Sequence, residues 1–236
     1  TSVLAGSRAG KSCADNAVER SRKAVNGQVG RLTIGVNEIA ARHPLFVQAI
    51  SRSRRLYPEV ELAVERCNSP EQVEALWAGK LDLGVLIDRP PDPDFGWMHF
   101  LRDPFLIGMA PNHPLSAKAE LLPADMVTES FITMRNARYG PAQAQILAEC
   151  RRLGFNPRVI QEAANEQMQL ALIGTGLGVG LVTGSTALVC PGQIVLRPLQ
   201  GLKHALDLDL LWLRKNSSPP LQHLLRIFAA VLARPA

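Results

Sequence analysis

Residues 26–36, NGQVGRLTIGV, constrain the fold of this chain more than any other segment. Gly27 and Gly30 can adopt the backbone angles that end a helix, and the segment before them is charged and spaced by alanines. The apolar run that follows, residues 32–36, is typical of a buried strand. We therefore predict that an exposed helix leads into the first strand of a globular α/β domain, which continues from something upstream.

The composition is that of a globular protein. The chain has 236 residues, of which 47% are hydrophobic and 20% charged, which is enough for one large domain or two small lobes. The net charge of +5 is spread along the chain, and its densest basic cluster, residues 51–55, is typical of the solvent-exposed face of a helix. Because only 5% of the residues are aromatic, we expect no surface that stacks nucleic-acid bases.

The cysteines and the N-terminus point to a cytoplasmic protein. The four cysteines are far apart and none has a histidine at ligand spacing, so we expect reduced thiols and no metal site. The N-terminal residues contain no apolar signal core, and no apolar run reaches membrane-spanning length. A mature secreted protein would also lack a signal, however, which leaves an extracytoplasmic location open.

The first half of the chain predicts a parallel sheet. Strands are expected at residues 32–36, 60–65 and 83–87, with helices near residues 45–57 and 70–78 between them. For the second helix we predict Ser69 as the cap, Pro70 in the first turn, Gln72 as the partner in a capping box and Gly79 just after the end. Connections of this length favour right-handed βαβ units. The proline-rich residues 89–94 are predicted to form a loop.

The second half repeats this alternation. Strands are expected at residues 105–109, 131–134, 159–163, 179–183 and 206–213, and helices near residues 141–153, 165–173 and 221–232. Two βαβ groups, with a last strand and helix that can return to the first group, predict two lobes. We place the two crossovers between the lobes near residues 109–112 and 202–206. A cleft between such lobes is a usual place for a small ligand.

The motifs that accompany catalysis are weak in this sequence. The run GTGLGVG at residues 174–180 lacks the dinucleotide-binding spacing and follows a helix instead of a strand, so a glycine-rich helix exit is the better interpretation. Asp207 and Asp209 would share one strand face, where we expect exposure and not a catalytic pair. No nucleophile, metal set or acid–base pair stands out. We therefore predict a protein that is not an enzyme and has no cofactor.

Helix starts that face the expected cleft are the better candidates for binding. The free N–H groups at a helix N-terminus favour an anion such as a carboxylate. Three starts qualify, at residues 37–41, 68–69 and 165–166, and Arg135 and Arg138 lie in a loop from which they can pair with a carboxylate. Glu166 would repel an anion. Each start is individually more typical of simple capping, so the argument depends on their convergence.

Six fragments in this order resemble the effector-binding region of LysR-type transcriptional regulators. They are GRLTIGV, LYPEVELAV, VEALWAGKLDLGVL, LIGMAPNHPL, QLALIGTGLGVGLV and LDLLWLRK. The resemblance covers about residues 14–228, and TSVLAG at residues 1–6 is similar to the exit of that family's winged helix-turn-helix. Residues 14–26 would then be the linker helix.

The resemblance implies an α/β fold of the type 2 periplasmic-binding-protein kind, with two βαβ-based lobes joined by two crossover strands. On this basis residues 1–30 hold the end of the DNA-binding domain and the linker, residues 31–110 with 206–236 form lobe I, and residues 111–205 form lobe II. It also implies a cytoplasmic homodimer or homotetramer that binds DNA through an upstream winged helix-turn-helix absent from this chain. A small, anionic effector would bind in the cleft between the lobes.

The family's effector positions fall here on Asn37, Glu38, Ile39, Ala40, Ala41, Asn68, Ser69, Thr133, Arg135, Asn136 and Asn165. Two departures stand out. Where the family usually offers Ser or Thr in the first loop, this chain has Ile39, Ala40 and Ala41, and Thr183 replaces a common proline. The alternative is an extracytoplasmic solute-binding protein of a transporter with the same fold, and a ligand-binding enzyme ranks third.

Overall fold

The computed structural model describes residues 22, 23, 25–135 and 140–233, and of residues 140–144 it describes only the backbone. Most of the predicted linker, residues 14–26, and all of residues 1–6 lie outside the described residues. The chain separates into two compact units: unit 1 runs to Phe100 and resumes at Asp209, and unit 2 is Leu101–Leu208. Within the described part of the chain, no helix is both long enough and apolar enough to cross a membrane.

Unit 1 is a mostly parallel sheet with helices. Its elements are β1 (Val29–Val36), α1 (Glu38–Arg42), α2 (Pro44–Leu56), β2 (Glu59–Arg66), α3 (Ser69–Trp77), β3 (Leu83–Ile87), the first part of β4 (Phe95–Met109), the last part of β9 (Ala205–Leu213) and α6 (Pro219–Leu232). The strand order is β2-β1-β3-β9-β4. Strand β1 pairs in parallel with both β2 and β3, which confirms the predicted βαβ arrangement.

The core of unit 1 is aliphatic and aromatic. Helices α2 and α6 meet through Phe46 and Phe228, whose ring centroids are 6.0 Å apart. A separate cluster joins α3 to the sheet and consists of Leu76, Leu81, Leu86, Phe95, Leu211 and Leu213. Helix α3 ends as predicted, because Gly79 has a φ of +66°, an angle that glycine adopts without a steric penalty.

Unit 2 contains the remaining elements. They are the rest of β4, 3-10 helices at Pro114–Ala117, Pro123–Met126 and Gly184–Leu188, β5 (Ser130–Met134), α4 (Gly140–Arg152), β6 (Arg158–Ala163), α5 (Glu166–Gly174), β7 (Gly180–Thr183), β8 (Val195–Arg197) and the start of β9. Strand β4 pairs in antiparallel fashion with β7 and β8, and β5 pairs in parallel with β6. The main core of the unit includes Ile107, Met109, Leu121, Met126, Phe131, Cys150, Phe155, Val179 and Leu199.

The glycine-rich run lets two backbones approach closely in unit 2. Val179 N–H donates to Ser130 O and Ile132 N–H donates to Val179 O, both at 2.8 Å. A Cβ atom on Gly178 would lie 2.5 Å from Ser130 O, and one on Gly180 would lie 2.5 Å from the Ile173 side chain. The run is therefore a helix exit followed by a closely packed strand, as the sequence predicted.

The two units divide at positions different from those placed on the sequence. The chain passes from unit 1 to unit 2 between Phe100 and Leu101, and it returns between Leu208 and Asp209. The sequence placed these boundaries after residue 110 and before residue 206. Strand β4 runs without interruption from Phe95 to Met109. The first division therefore lies inside a continuous strand, where no turn residue marks it.

The two aspartates of β9 differ in exposure, so the prediction that both are exposed is wrong for Asp209. The side chain of Asp207 is 49% exposed, whereas that of Asp209 is only 10% exposed. Asp209 is held in unit 1 by Arg89 Nε at 3.0 Å and by His99 Nδ1 at 3.2 Å. The Arg89 guanidinium also stacks on the Trp97 ring at 3.7 Å. These partners satisfy a carboxylate that would otherwise be costly to bury.

Candidate functional site

Strands β1 and β2 end together at one edge of the unit 1 sheet. Their last residues, Val36 and Arg66, are partners in the parallel register, and Cys67 N–H donates to Val36 O at 3.1 Å. Asn37 and Asn68 follow these ends and begin helices α1 and α3. The predicted residues of unit 1 are therefore neighbours at this edge: Asn37, Glu38, Ile39, Ala40, Ala41, Asn68 and Ser69.

Each of these helix starts is capped by an asparagine. Asn37 Oδ1 accepts from Ala40 N–H at 2.8 Å, and Asn68 Oδ1 accepts from Glu71 N–H at 3.0 Å. Glu71 Oε2 in turn accepts from Asn68 N–H at 2.8 Å, which completes a capping box. The sequence prediction of a box between Ser69 and Gln72 is therefore wrong by one residue.

Ser69 is the first residue of α3, one position after the cap, and its hydroxyl has a tertiary partner. Ser69 Oγ accepts a hydrogen bond from Ile87 N–H at 3.0 Å, which ties the first turn of α3 to the end of β3. A hydroxyl can accept and donate at the same time. The Ser69 O–H therefore keeps its capacity to donate to an acceptor at the sheet edge.

Gln72 fixes α3 against the end of β2 and against β3. Its side chain is fully buried, and Nε2 donates to Cys67 O at 3.0 Å and to Val85 O at 3.1 Å. Gln169 occupies the corresponding place in unit 2, where Nε2 donates to Ile132 O at 2.9 Å. Both glutamines lie four residues after an asparagine cap. Sequence reasoning missed both as positioning residues, although this shared spacing is visible in the sequence.

The backbone of α1 offers fewer donors than the sequence suggested. Ala40 N–H is taken by the Asn37 side chain, and Ala41 N–H donates to Asn37 O at 3.0 Å. The side chains of Ile39 and Ala40 are buried in the core. Only the first amides of this turn, those of Glu38 and Ile39, precede the intrahelical ladder. Helix α3 is consequently the better developed of the two helix starts.

An ion pair lies beside these helix starts. Arg66, the last residue of β2, pairs with Glu38 in the first turn of α1. Their side chains are 59% and 31% exposed, so the pair is open to solvent. Sequence reasoning missed Arg66, because nothing in a strand-terminal arginine reveals a partner on another element.

The predicted residues of unit 2 lie at the ends of β5 and β6. Thr133 and Met134 pair with Glu162 and Ala163 in the parallel register, and Arg135 N–H donates to Ala163 O at 3.0 Å. Asn165 then caps α5, since its Oδ1 accepts from Met168 N–H at 2.8 Å. Thr133, Arg135 and Asn165 are thus brought to one edge of this small sheet. Asn136 and Arg138 lie outside the described residues.

The charges at this second edge are partly balanced. Arg135 Nε is 3.8 Å from Glu162 Oε2, and both side chains are mostly exposed. Glu166 Oε1 accepts from the Thr186 hydroxyl at 3.3 Å, which directs that carboxylate toward the buried Thr186. The guanidinium of Arg135 can therefore reach an anion in solvent.

The chemistry available at these edges is binding and not nucleophilic catalysis. Burial raises the pKa of the Cys67 thiol, and the nearby carboxylate of Glu71 raises it further. A thiol with a raised pKa stays protonated at neutral pH and is a poor nucleophile. Asparagine caps, a serine hydroxyl and arginines are instead groups that hold an oxyanion by hydrogen bonds and charge.

Comparison with known proteins agrees with this picture. The model of the LysR substrate binding domain matches residues 26–233. The chain is 23% identical over 213 residues to the HTH-type transcriptional regulator AlsR of Bacillus subtilis, covering 89% of this chain and 69% of that protein. It is 26% identical over 220 residues to the Hca operon transcriptional activator HcaR of Escherichia coli, covering 93% of this chain and 74% of that protein.

Solved structures share the fold at low identity. Full-length CbnR in complex with its target DNA superposes with a TM-score of 0.80 at 17% identity, covering 98% of this chain and 78% of that one. The effector binding domain of BenM with benzoate superposes with a TM-score of 0.76 at 17% identity, covering 87% of this chain and 96% of that one. The effector binding domain of QuiR with shikimate superposes with a TM-score of 0.69 at 14% identity, covering 86% of this chain and 96% of that one.

These matches span most of the chain and share its two-lobed α/β fold of the periplasmic-binding-protein kind. Regulators of this family are not enzymes; they bind small effectors and DNA and form oligomers. The alternative of a transporter's solute-binding protein is set aside by this match. The chain belongs to the LysR family of transcriptional regulators, and residues 26–233 are its substrate-binding domain.

Proposed function

We propose that this domain senses a small oxyanion, such as a carboxylate, for a DNA-binding regulator. The observation that carries the proposal is the meeting of two asparagine-capped helix starts at one edge of the unit 1 sheet. The positive end of a helix and its unpaired N–H groups favour negative charge. BenM with benzoate and QuiR with shikimate support the same ligand class, since both are carboxylates.

Within this proposal the residues have separate roles. In unit 1, Ser69 donates its hydroxyl proton and the first amides of α1 and α3 face the anion, whereas Asn37 and Asn68 hold those turns in place. In unit 2, the guanidinium of Arg135 supplies positive charge and Asn165 fixes the start of α5. Thr133 and Asn136 complete the proposed set. Ile39, Ala40 and Ala41 take part only through the backbone.

The effector acts by shifting an equilibrium. A ligand changes the balance between two conformations only by as much as it binds one of them more tightly than the other. Coupling of about 1–3 kcal/mol between an effector and a second site is typical. We propose that this energy reaches DNA through the helix-turn-helix domain after which the relatives are named, in a cytoplasmic homodimer or homotetramer.

Two single substitutions test the proposed residues. Titration calorimetry with benzoate and shikimate would compare the wild-type chain with Ser69→Ala and Arg135→Ala. Each variant removes one hydrogen bond or ion pair to a charged ligand, so each should weaken binding by about tenfold or more. Glu120→Gln, an exposed change in a loop of unit 2, is the control. Undiminished affinity in both variants would contradict the assigned roles.

A further inference from the structure

Arg66 stands where a cation would be useful to the proposed site. It is the last residue of β2, it is paired in register with Val36, and Asn68 and Ser69 follow it closely in the chain. Its side chain is 59% exposed and crosses to the first turn of α1, where it meets Glu38. A guanidinium is therefore held beside the two helix starts of unit 1 by a carboxylate of the protein itself.

The pair with Glu38 resembles the contact that a ligand would make. A guanidinium presents a planar fork of N–H donors that matches the two oxygens of a carboxylate. Glu38 supplies such a carboxylate from within the protein. Because both side chains are open to solvent, the pair contributes little to stability and its exchange costs little.

We propose that Arg66 binds the oxyanion of the effector and that Glu38 is its internal substitute when no effector is bound. This inference rests on the proposed function, and it names a residue that discriminates charged ligands from neutral ones. Ser69 lies on the same edge. Its hydroxyl oxygen accepts a hydrogen bond from Ile87 N–H, and a hydroxyl that accepts in this way can still donate its own proton. A carboxylate that replaces Glu38 could take donors from both side chains.

The carboxylate in the first turn of α3 has its own partner. Glu71 is engaged by Asn68 N–H in the capping box, at 2.8 Å. Glu38 is the carboxylate that pairs with Arg66, so an effector would have to displace it. Removing Arg66 and removing Glu38 should therefore change anion affinity in opposite directions. A pair that merely joined β2 to α1 would not produce this sign difference, since loss of either partner would have the same effect.

A second ion pair on the same strands supplies a matched control. Arg31 and Glu61 are partners in the β1–β2 register, with Arg31 Nε 3.9 Å from Glu61 Oε1 and side chains that are 63% and 66% exposed. They precede the strand ends by five residues, so they lie away from the helix starts. Substitutions here change the same charges on the same strands without touching the proposed contact.

Calorimetric titration with sodium benzoate and with shikimate would be carried out on the wild type, Arg66→Gln, Arg66→Lys, Glu38→Gln, Arg31→Gln and Glu61→Gln. We expect Arg66→Gln to weaken binding by about tenfold or more, and Arg66→Lys to weaken it less because the charge stays and the fork is lost. Glu38→Gln should tighten binding about threefold to tenfold, since the competitor is removed. The control variants should bind within about twofold of the wild type, because exposed charges at this distance are screened.

The outcomes separate this inference from the proposed function. Suppose that the wild type binds a carboxylate. If Arg66→Gln then binds with unchanged affinity, or Glu38→Gln binds more weakly, the role of Arg66 is overturned and the sensor function still stands. Failure of the wild type to bind either carboxylate overturns both. Circular dichroism of each variant verifies that a loss of affinity is not a loss of folding.

Discussion

At the scale of single residues, hydrogen bonds and ion pairs between residues that are distant in the sequence position side chains in unit 1. Helix α3 begins near Ser69, where Asn, Ser and Pro cluster. Asn68 caps this helix, whereas the Ser69 hydroxyl accepts from Ile87 N–H, eighteen residues away in the sequence. In the same way, Asp209 is buried only because Arg89 and His99 reach it from distant parts of the chain. A single sequence does not reveal such pairings.

A prediction at this scale concerns Asp125 and pH. The hydrogen bond from Lys118 Nζ, at 2.6 Å, and a second from Leu122 N–H, at 2.9 Å, hold the pKa of Asp125 below its usual value. A lowered folded-state pKa stabilises the protein above the unfolded value of about 3.9, and this contribution is lost as the pH falls through the folded value. Asp125→Asn should therefore be destabilising at neutral pH, with an effect that shrinks in acid.

Urea unfolding at several pH values between about 7 and 3 would measure this difference. Lys118→Met should show the same trend, because it removes the larger of the two causes. A difference between wild type and Asp125→Asn that stays constant over this range would contradict the assignment.

At the scale of elements, periodicity and turn residues located the helices and strands, and the links between elements were harder to place. Helix α3 was bracketed by Pro70 and Gly79, and the glycine run at residues 174–180 was correctly assigned to a helix exit before a strand. The division inside β4 lies about ten residues before the boundary predicted from the sequence, and the strand continues through Phe100 and Leu101. Which unit a strand residue joins depends on packing partners and not on its own hydropathy.

The close approach in unit 2 gives a second prediction. Gly178→Ala would place a Cβ 2.5 Å from Ser130 O, a backbone atom that moves only if β5 moves. Such a clash should lower the free energy of unfolding by about 1–3 kcal/mol. Gly174→Ala is the matched control in the same run, because its Cβ would lie 3.4 Å from Gln193 O. Denaturant midpoints for the two variants would decide, and equal stability would refute the close-packing role.

At the scale of the whole molecule, exposed strand edges bear on assembly. Strand β2 is an outermost strand of its sheet, next to β1, and β6 is an outermost strand of the two-stranded sheet of unit 2. They expose Val64 at 46% and Val159 and Ile160 at 44% each. An exposed edge with apolar side chains readily pairs with another chain. We propose that the outermost strands β2 and β6 are covered by another copy of the chain in the homo-oligomer.

Light scattering at micromolar concentration should accordingly report at least a dimer for the wild-type chain. Val64→Lys and Ile160→Lys should shift the mass toward the monomer, because a charge is buried unfavourably at a closed edge. Val127→Lys, at a position that is 59% exposed and belongs to neither strand, should leave the mass unchanged. A wild-type monomer, or equal effects of all three variants, would rule out assembly through these edges.

The central claim is that this domain senses a small oxyanion. Its most direct test is thermal unfolding of the wild-type chain in the presence of carboxylates, of the neutral amides of those carboxylates, and of sulfate. A ligand at about 100 times its Kd adds about 2.7 kcal/mol to the free energy of unfolding, which is a readily visible shift. We predict that at least one carboxylate raises the unfolding temperature in a saturable way and that its amide does not. An equal shift by acid and amide, or no shift with any anion at concentrations up to about 10 mM, would contradict the account, because affinities weaker than that correspond to less than about 3 kcal/mol of binding.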